Sequence, residues 1–363
     1  MSTQELLDLG ARVGPVMVFL VAMTIVAEVA EIAGVFDVAA HWTSHAGRQR
    51  TWLLWLLVVA LATACTIVLS IDTTAVLLTP VVIPMTRQLG IAAMPFALTT
   101  VWLANTASLL LPVSNLSNLI ALHRFSVLGV ATHEYIALAW RPALAAILAT
   151  VVVLFLLHRR DLTTRYTSDP PADPHDRVLL WVAGAVCIAL GPAFVSGVIP
   201  AIPAVIAAVA LVATLAWRWR PQLRTIRVPW LMVLGVCVLF VGVDIAMRHG
   251  LEPALTALVG THDGAGLWRV GAVAAVSANV VNNLPAYLAL EPVSDGSSAR
   301  LMALLIGVNV GSTVTLWGSL ATLLWRDRCR RAGLTINAWP YAVRSLVCAG
   351  AAVSAALLAL SPG

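Results

Sequence analysis

Apolar stretches near the length of a bilayer span alternate along this chain with short loops that hold most of its charge. The first predicts a helix from Val13 to Val35, followed by an Arg-containing loop, His41 to Arg50. Thr51 to Leu69 is apolar, is interrupted by Ser70, Asp72, Thr73 and Thr74, and resumes as Ala75 to Met85. That pattern predicts a re-entrant hairpin over 51–86 with its tip near Asp72. A broken helix over 95–122 and a helix over 135–157 complete the first half, 1–158. The polar stretch 159–177, with its Asp-Pro pairs, is the one clear linker. The second half, 178–363, opens with two extra helices, Val178 to Ile199 and Pro200 to Trp217. It continues with a helix over 228–247, a second hairpin over 268–290, a broken helix over 299–325 and a last helix over 339–360. The expected fold class is an all-α polytopic membrane protein, with about eight full crossings plus two hairpins by span length.

The polar interruptions are the informative part. Trp102 to Leu119 carries Asn105, Ser108, Ser114, Asn115, Ser117 and Asn118 around Pro112. Proline removes a backbone donor, and inside a bilayer every backbone group needs a partner. Such a segment persists only where it lines a protein-buried or water-filled cavity, and interrupted helices of this kind point to a transporter site. Val308 to Leu323 repeats the device. Sliding one over the other pairs Asn105 with Asn309, Ser108 with Ser312, Ser114 with Gly318, Asn115 with Ser319 and Asn118 with Thr322. In the leading helices, Glu28 falls against Asp244 and Gly34 against Gly250.

Charge adds an orientation. If both hairpins are re-entrant, the loops at 41–50, 87–94, 158–177, 217–227 and 326–333 share one side with Arg344, and that side holds 16 of the 22 basic residues, all of them Arg. The positive-inside rule makes it cytoplasmic and both termini extracytoplasmic. The hairpins then enter from opposite faces, so the halves read as inverted repeats, a common plan for secondary transporters. Composition agrees: 60% of residues are hydrophobic and 11% charged, where soluble domains carry about 25% charged. The net charge of +5 lies in loops and signals topology, so no nucleic-acid partner is expected. The partners expected are the lipid bilayer and a small solute. Five scattered Cys without a C-x-x-C pair argue against a disulfide framework. The eight His lie in loops, so neither a core metal site nor a cofactor is expected.

Two hairpin tips and two helix breaks together offer Thr73, Thr74, Asn105, Asn115, Asn118, Asn282, Asn283, Ser312, Thr313, Ser319 and Thr322. Half-helix N-termini present free N–H groups to an anion or a neutral polyol. This ring of amides and hydroxyls suits a small oxygen-rich solute and lacks a cationic clamp for a polyanion. Asp72 is the only carboxylate at a break. At that depth a carboxylate reads as a proton or cation carrier, but Asp is also a favoured helix cap, and both roles stay open. Glu28 and Glu31, one turn apart, read as an interfacial pair or a proton entry.

The runs Ser70 to Pro80, Ala104 to Leu109, Val113 to Leu116, Asn282 to Pro285 and Gly318 to Trp325 resemble the arsenite/antimonite efflux permease family of the ion transporter superfamily. The likeness extends from the first helix to about Trp339. More distantly the chain is similar to sodium–dicarboxylate carriers, whose hairpin tips and following breaks bind sodium and substrate. By that likeness the binding residues are Asp72, Thr73 and Thr74 with Ser114 and Asn115, then Asn282 and Asn283 with Gly318 and Ser319. The resemblance implies extrusion of trivalent arsenic or antimony hydroxide in exchange for protons, without a cysteine trio, sometimes energised by a soluble ATPase subunit. It also implies dimer contacts through scaffold helices. Family members usually begin with about two further helices, which the first half lacks. They also commonly carry a Pro-Lys-Ile-Thr-Pro-Ile type run where this chain has Ser312 to Trp317.

The expectation is therefore a bacterial inner-membrane secondary transporter exporting arsenite or antimonite by proton antiport, and not an enzyme. The alternative is a relative that moves another small anion or a sodium ion. A membrane enzyme would need a nucleophile–base pair or metal cluster at one face, and the pattern offers none.

Overall fold

The computed structural model describes residues 3–166, 176–196, 198–226, 252–260, 265–294 and 297–360, with a few positions between 230 and 250. Most of the helix expected over 228–247, including Cys237 and Asp244, lies outside the described residues. Every described element is helical, and among the described residues the only strand-like pairing is one bridge between Arg50 and Arg165.

The first part runs α1 (Thr3–Ile32), α2 (Val35–Ala46), α3 (Thr51–Val68), α4 (Ile71–Thr73), a π-helical turn (Thr74–Leu78) and α5 (Thr79–Gln88). Then come α6 (Ala93–Thr106), a 3-10 turn (Pro112–Ser114), α7 (Leu116–Val127) and α8 (Thr132–Leu162). The second part begins with α9 (Arg177–Val195), α10 (Ala201–Arg218) and α11 (Glu252–Val259). It continues with α12 (Ala265–Val281), α13 (Asn283–Leu290) and α14 (Ser298–Leu305), then a π-helical turn (Ile306–Val310) and a 3-10 turn (Gly311–Thr313). The last elements are α15 (Leu320–Arg331) and α16 (Ala338–Leu360).

Among the described residues five helices are long and apolar enough to cross a membrane: Thr51–Val68, Thr132–Leu162, Arg177–Phe194, Ala201–Arg218 and Ala338–Leu360. Met17–Ile32 with Val35–Thr43, bent by 63°, makes a sixth if the pair is one span. The bend sits at Gly34, whose φ of 76° is cheap only for glycine. α2 thus occupies the start of a stretch expected as loop. α3 alone has the length of a crossing where a re-entrant arm was expected. Several helix hydroxyls are satisfied locally: those of Thr24, Thr66, Thr99 and Thr150 each donate to the carbonyl four residues earlier.

Local breaks recur in the two parts. α3 gives way to α4 at Ser70 (φ 146°, ψ 168°), and α12 to α13 at Asn282 (φ 103°, ψ 153°). Both are left-handed positions occupied by a non-glycine, which costs energy unless the surroundings hold it. The Ser70 carbonyl accepts the Thr74 hydroxyl at 3.0 Å, and the Asn282 amide donates to the Trp317 carbonyl at 2.8 Å. The segments after α6 and after Gly311–Thr313 end in extended caps, Asn115 (φ −147°, ψ 143°) and Ser319 (φ −139°, ψ 153°).

Two indole bonds tie the parts together. Trp325 Nε1 donates to the Ala97 carbonyl at 2.9 Å, and Trp102 Nε1 to Ser345 Oγ at 3.1 Å. α8 and α16 pack along one another, and a seam of small residues joins α12 to the turns after α14. In that seam Gly307 lies against Gly271, Ala274 and Ala275, and Gly311 against Ala275. Close backbone approach through glycine and alanine is how membrane helices gain packing when apolar burial alone gives little.

Candidate functional site

Four half-helices begin at side-chain caps. Ser70 Oγ accepts from Thr73 N at 3.3 Å, and Asn115 Oδ1 from Ser117 N at 3.4 Å. Asn282 Oδ1 accepts from Leu284 N at 3.4 Å, and Ser319 Oγ from Thr322 N at 3.2 Å. The first turns after these caps converge on one cavity of about 290 Å³. Its wall is Ile71 and Asp72, Asn115 and Leu116, Asn282 to Pro285, and Ser319 to Ala321, with Gly235 at one side. Each helix start contributes unpaired N–H groups and a partial positive charge. The wall therefore offers amide and hydroxyl groups in a weakly positive field. Among the described lining residues Asp72 is the single charged one, and none is an Arg.

Of the residues singled out from sequence, Asp72, Asn115, Asn282, Asn283 and Ser319 line this cavity. The others form the polar layer that holds the wall. Thr73 shares a 3.0 Å bond with Ser70, and Thr74 accepts the Thr66 hydroxyl at 3.0 Å. Ser114 donates to the Ile67 carbonyl at 2.8 Å, which fastens the first helix break to the end of α3. The Gly318 carbonyl accepts from Asn283 N at 2.8 Å, which fastens the second break to α13. A side chain at Gly318 would meet the Ser312 carbonyl and, at 2.9 Å, Asn279 Oδ1. Thr313 donates to the Val310 carbonyl at 3.2 Å, and Thr322 pairs with Ser319 at 2.8 Å.

At the centre lies Asn309, fully buried in the π-helical turn. Its Oδ1 accepts from Asn115 Nδ2 at 2.9 Å and from the Ser117 hydroxyl at 2.6 Å. Its Nδ2 donates to Asn118 Oδ1 at 2.7 Å. Asn118 Nδ2 in turn donates to the Ser108 carbonyl at 2.6 Å, freed by the first break. Ser312, one turn on, donates to Asn105 Oδ1 at 3.1 Å. Asn309→Ala strands Asn115 Nδ2 and Asn118 Oδ1 in the interior, and each stranded group costs about 1–3 kcal/mol. The expected result is a clearly lower midpoint of thermal unfolding in detergent, together with loss of function. An unchanged midpoint would remove Asn309 from its central place.

Four contributors were noted as polar interruptions in the sequence but were not among its candidate site residues. Ser70 and Ser117 hide among common hydroxyls, and their roles depend on cap geometry. Asn309 had a signal, since it falls against Asn105 when the two broken segments are aligned. Asn279 lay within the second interrupted element: its Oδ1 accepts from Thr315 N at 2.8 Å and its Nδ2 donates to the Gly311 carbonyl at 2.7 Å. Glu28 and Glu31 lie outside the cavity wall. Among the described residues no group of three or more His, Cys, Asp or Glu could hold a metal ion.

Comparison with known proteins places the chain in context. A sequence-family signature described as "Citrate transporter" matches residues 9–301. The chain is 29% identical over 358 residues to the arsenical pump membrane protein of Escherichia coli strain K12, covering 90% of this chain and 80% of that protein. With the arsenical pump membrane protein of Yersinia enterocolitica it shares 30% identity over 351 residues, with the same two shares covered. A 46 kDa membrane protein of Mycobacterium leprae is 25% identical over 358 residues, covering 90% of this chain and 81% of its own.

Proposed function

The chain belongs to the ion-transporter family that links citrate transporters with arsenical pump membrane proteins, and from that premise we propose that it exports arsenite or antimonite across the bacterial inner membrane in exchange for protons. That it is a multi-pass membrane transporter follows from the family and from its apolar helices. The cargo is proposed from the arsenical-pump relatives and from the site. The observation that carries it is the cavity wall: four helix starts, amides and hydroxyls, and one carboxylate. Arsenous acid is neutral at neutral pH and carries three hydroxyl groups. Its oxygens suit helix-start N–H groups and Asn amides, and its O–H groups suit Asn carbonyl oxygens and the Asp72 carboxylate. In this reading Asp72 binds substrate in its ionised form and releases it when protonated, so one group serves cargo and coupling proton in turn.

Supporting an inverted repeat are the matched breaks at Ser70 and Asn282 and the matched caps at Asn115 and Ser319. The Arg bias of the loops supports a cytoplasmic linker and opposite entry of the two hairpins. In that architecture the cavity sits between the repeats and opens alternately to the two sides.

A second reading, export or uptake of another small anion or a sodium ion, draws on the "Citrate transporter" description and the positive ends of four helices. The lack of an Arg in the described wall weighs against a citrate-like polyanion.

The test is expression in a bacterial strain without its own arsenite efflux, with retained arsenic measured by elemental mass spectrometry. The expected result is a several-fold lower cellular arsenic content than in the empty-vector strain. Unchanged arsenic with the protein present in the membrane would overturn the cargo and move attention to small anions and sodium.

A further inference from the structure

Tyr135 and Tyr341 occupy the same place in the two parts of the chain. Each is the fourth residue of the long helix that follows a broken one, α8 and α16. Each packs its ring on an aromatic of the preceding half-helix: Tyr135 on Phe125 with centroids 5.1 Å apart, and Tyr341 on Trp325 at 5.6 Å. Both side chains are buried, at 0% and 4% exposure.

Their hydroxyls differ. Tyr135 donates to the Leu109 carbonyl at 2.8 Å, a group left free by the first break. The Tyr341 hydroxyl is buried and makes no hydrogen bond, although Thr322, Ser345 and the Trp102 indole stand around it. None of the three is aligned to bond it directly. A buried hydroxyl left unsatisfied is destabilising, and here it faces other polar groups rather than an apolar wall. Those groups are themselves connected. Trp102 Nε1 donates to Ser345 Oγ at 3.1 Å, and Thr322 Oγ1 lies 2.8 Å from Ser319 Oγ. Ser319 is in the cavity wall. A polar niche with two to four partners is what a buried water requires.

We propose that Tyr341, Thr322 and Ser345 hold one buried water molecule, and that through it Tyr341 is the positioning residue for the Ser319 hydroxyl in the cavity. The direction of the bonds follows. Ser345 Oγ accepts the indole proton, so its own proton is free for the water. The water then donates a hydrogen bond to Thr322 Oγ1, and the Thr322 hydroxyl donates one to Ser319 Oγ. Ser319 is left with its proton to direct at an oxygen in the cavity. The chain thus makes Ser319 a donor to the cargo, and no proton is transferred. The part of this proposal that concerns cargo rests on the proposed transport function. The water site itself does not.

The experiment compares Tyr341→Phe, Thr322→Val and the double variant. Purified protein is melted in detergent, and arsenite exchange is measured in proteoliposomes. Phe keeps the ring and its contact with Trp325, so folding is preserved. With a water in place, Tyr341→Phe lowers the melting midpoint by a few degrees. The double variant then loses less than the sum of the singles. If the hydroxyl simply lacks a partner, removing it leaves the midpoint unchanged or raises it, and the site is refuted. Fully additive losses also refute it. In transport, Tyr341→Phe is expected to raise KM several-fold at an unchanged maximal rate. A fall in maximal rate at constant KM would overturn the positioning role. Should the wild type move no arsenite, the cargo reading fails, and the melting arm still decides the water site.

Discussion

Asp72→Asn is expected to abolish arsenite extrusion while the protein still folds and reaches the membrane. Asp72 is the second residue of the helix that begins after Ser70, and it lines the cavity. The cap itself is made by Ser70 Oγ, so the helix start does not depend on the carboxylate. Asn has nearly the same shape and keeps an oxygen acceptor for the cargo. It cannot take up a proton. Under the proposed exchange, the cycle stalls at the step where protonation releases substrate. A loss of at least about a hundredfold in exchange rate, equivalent to roughly 2.8 kcal/mol, is the expected size. Asp72→Glu keeps the proton but extends the carboxyl into the cavity, and should retain partial exchange. The measurement is arsenite flux into proteoliposomes under an imposed pH gradient, with melting midpoints as the folding control. Wild-type flux with unchanged pH dependence in Asp72→Asn would leave the residue with no part in coupling.

Gly307→Val should prevent accumulation of folded protein altogether. A Cβ at Gly307 would collide with Ala274 Cβ and the Gly271 carbonyl, and would lie 3.0 Å from Ala275 N. Those are backbone and short side chains on α12, so nothing flexible can give way. Overpacking a tight interior costs about 1–3 kcal/mol or more, and here the displaced element carries Asn309. Pushing the turn away from α12 would pull Asn309 from Asn115, Ser117 and Asn118 together. Gly350→Ala is the control, since a Cβ there meets nothing within 4 Å. Fluorescence-detected size-exclusion chromatography separates the two: a monodisperse peak for the control and aggregate for Gly307→Val. A sharp peak for both would show that the seam is looser than described.

The helix breaks were legible because membrane segments are otherwise monotonous. Asn115, Asn282 and Ser319 stand out against Leu, Val and Ala, and they do begin half-helices. The interruption after α3 was read from Ser70 onward, with a tip near Asp72. Asp72 is the conspicuous charge, but the turn falls at Ser70, where Thr66 and Thr74 hydroxyls sustain an unusual backbone angle. The Gly–Ala seam gave no signal, because small apolar residues look alike whether they meet lipid or another helix. The end of α2 was read as loop because it belongs to the Arg-containing stretch His41 to Arg50 that follows the first apolar span. Its helix comes from packing against α1, α3 and α5. The layering of the site was also out of reach. Asn115 and Asn118 are one turn apart and both bond Asn309, yet only Asn115 also lines the cavity.

The primary amide of Asn309 has a head and a tail. Its oxygen collects two donors from α7, and its nitrogen feeds one acceptor there. The residue that falls against it when the two broken segments are aligned in sequence, Asn105, spends its nitrogen on the Val101 carbonyl of its own helix and its oxygen on Ser312. Where α7 offers Asn115, Ser117 and Asn118, the corresponding positions of α15 are Ser319, Ala321 and Thr322. The two halves are therefore related as plug and socket. Each offers what the other lacks, so the centre of the molecule is asymmetric although the two broken segments look alike in sequence.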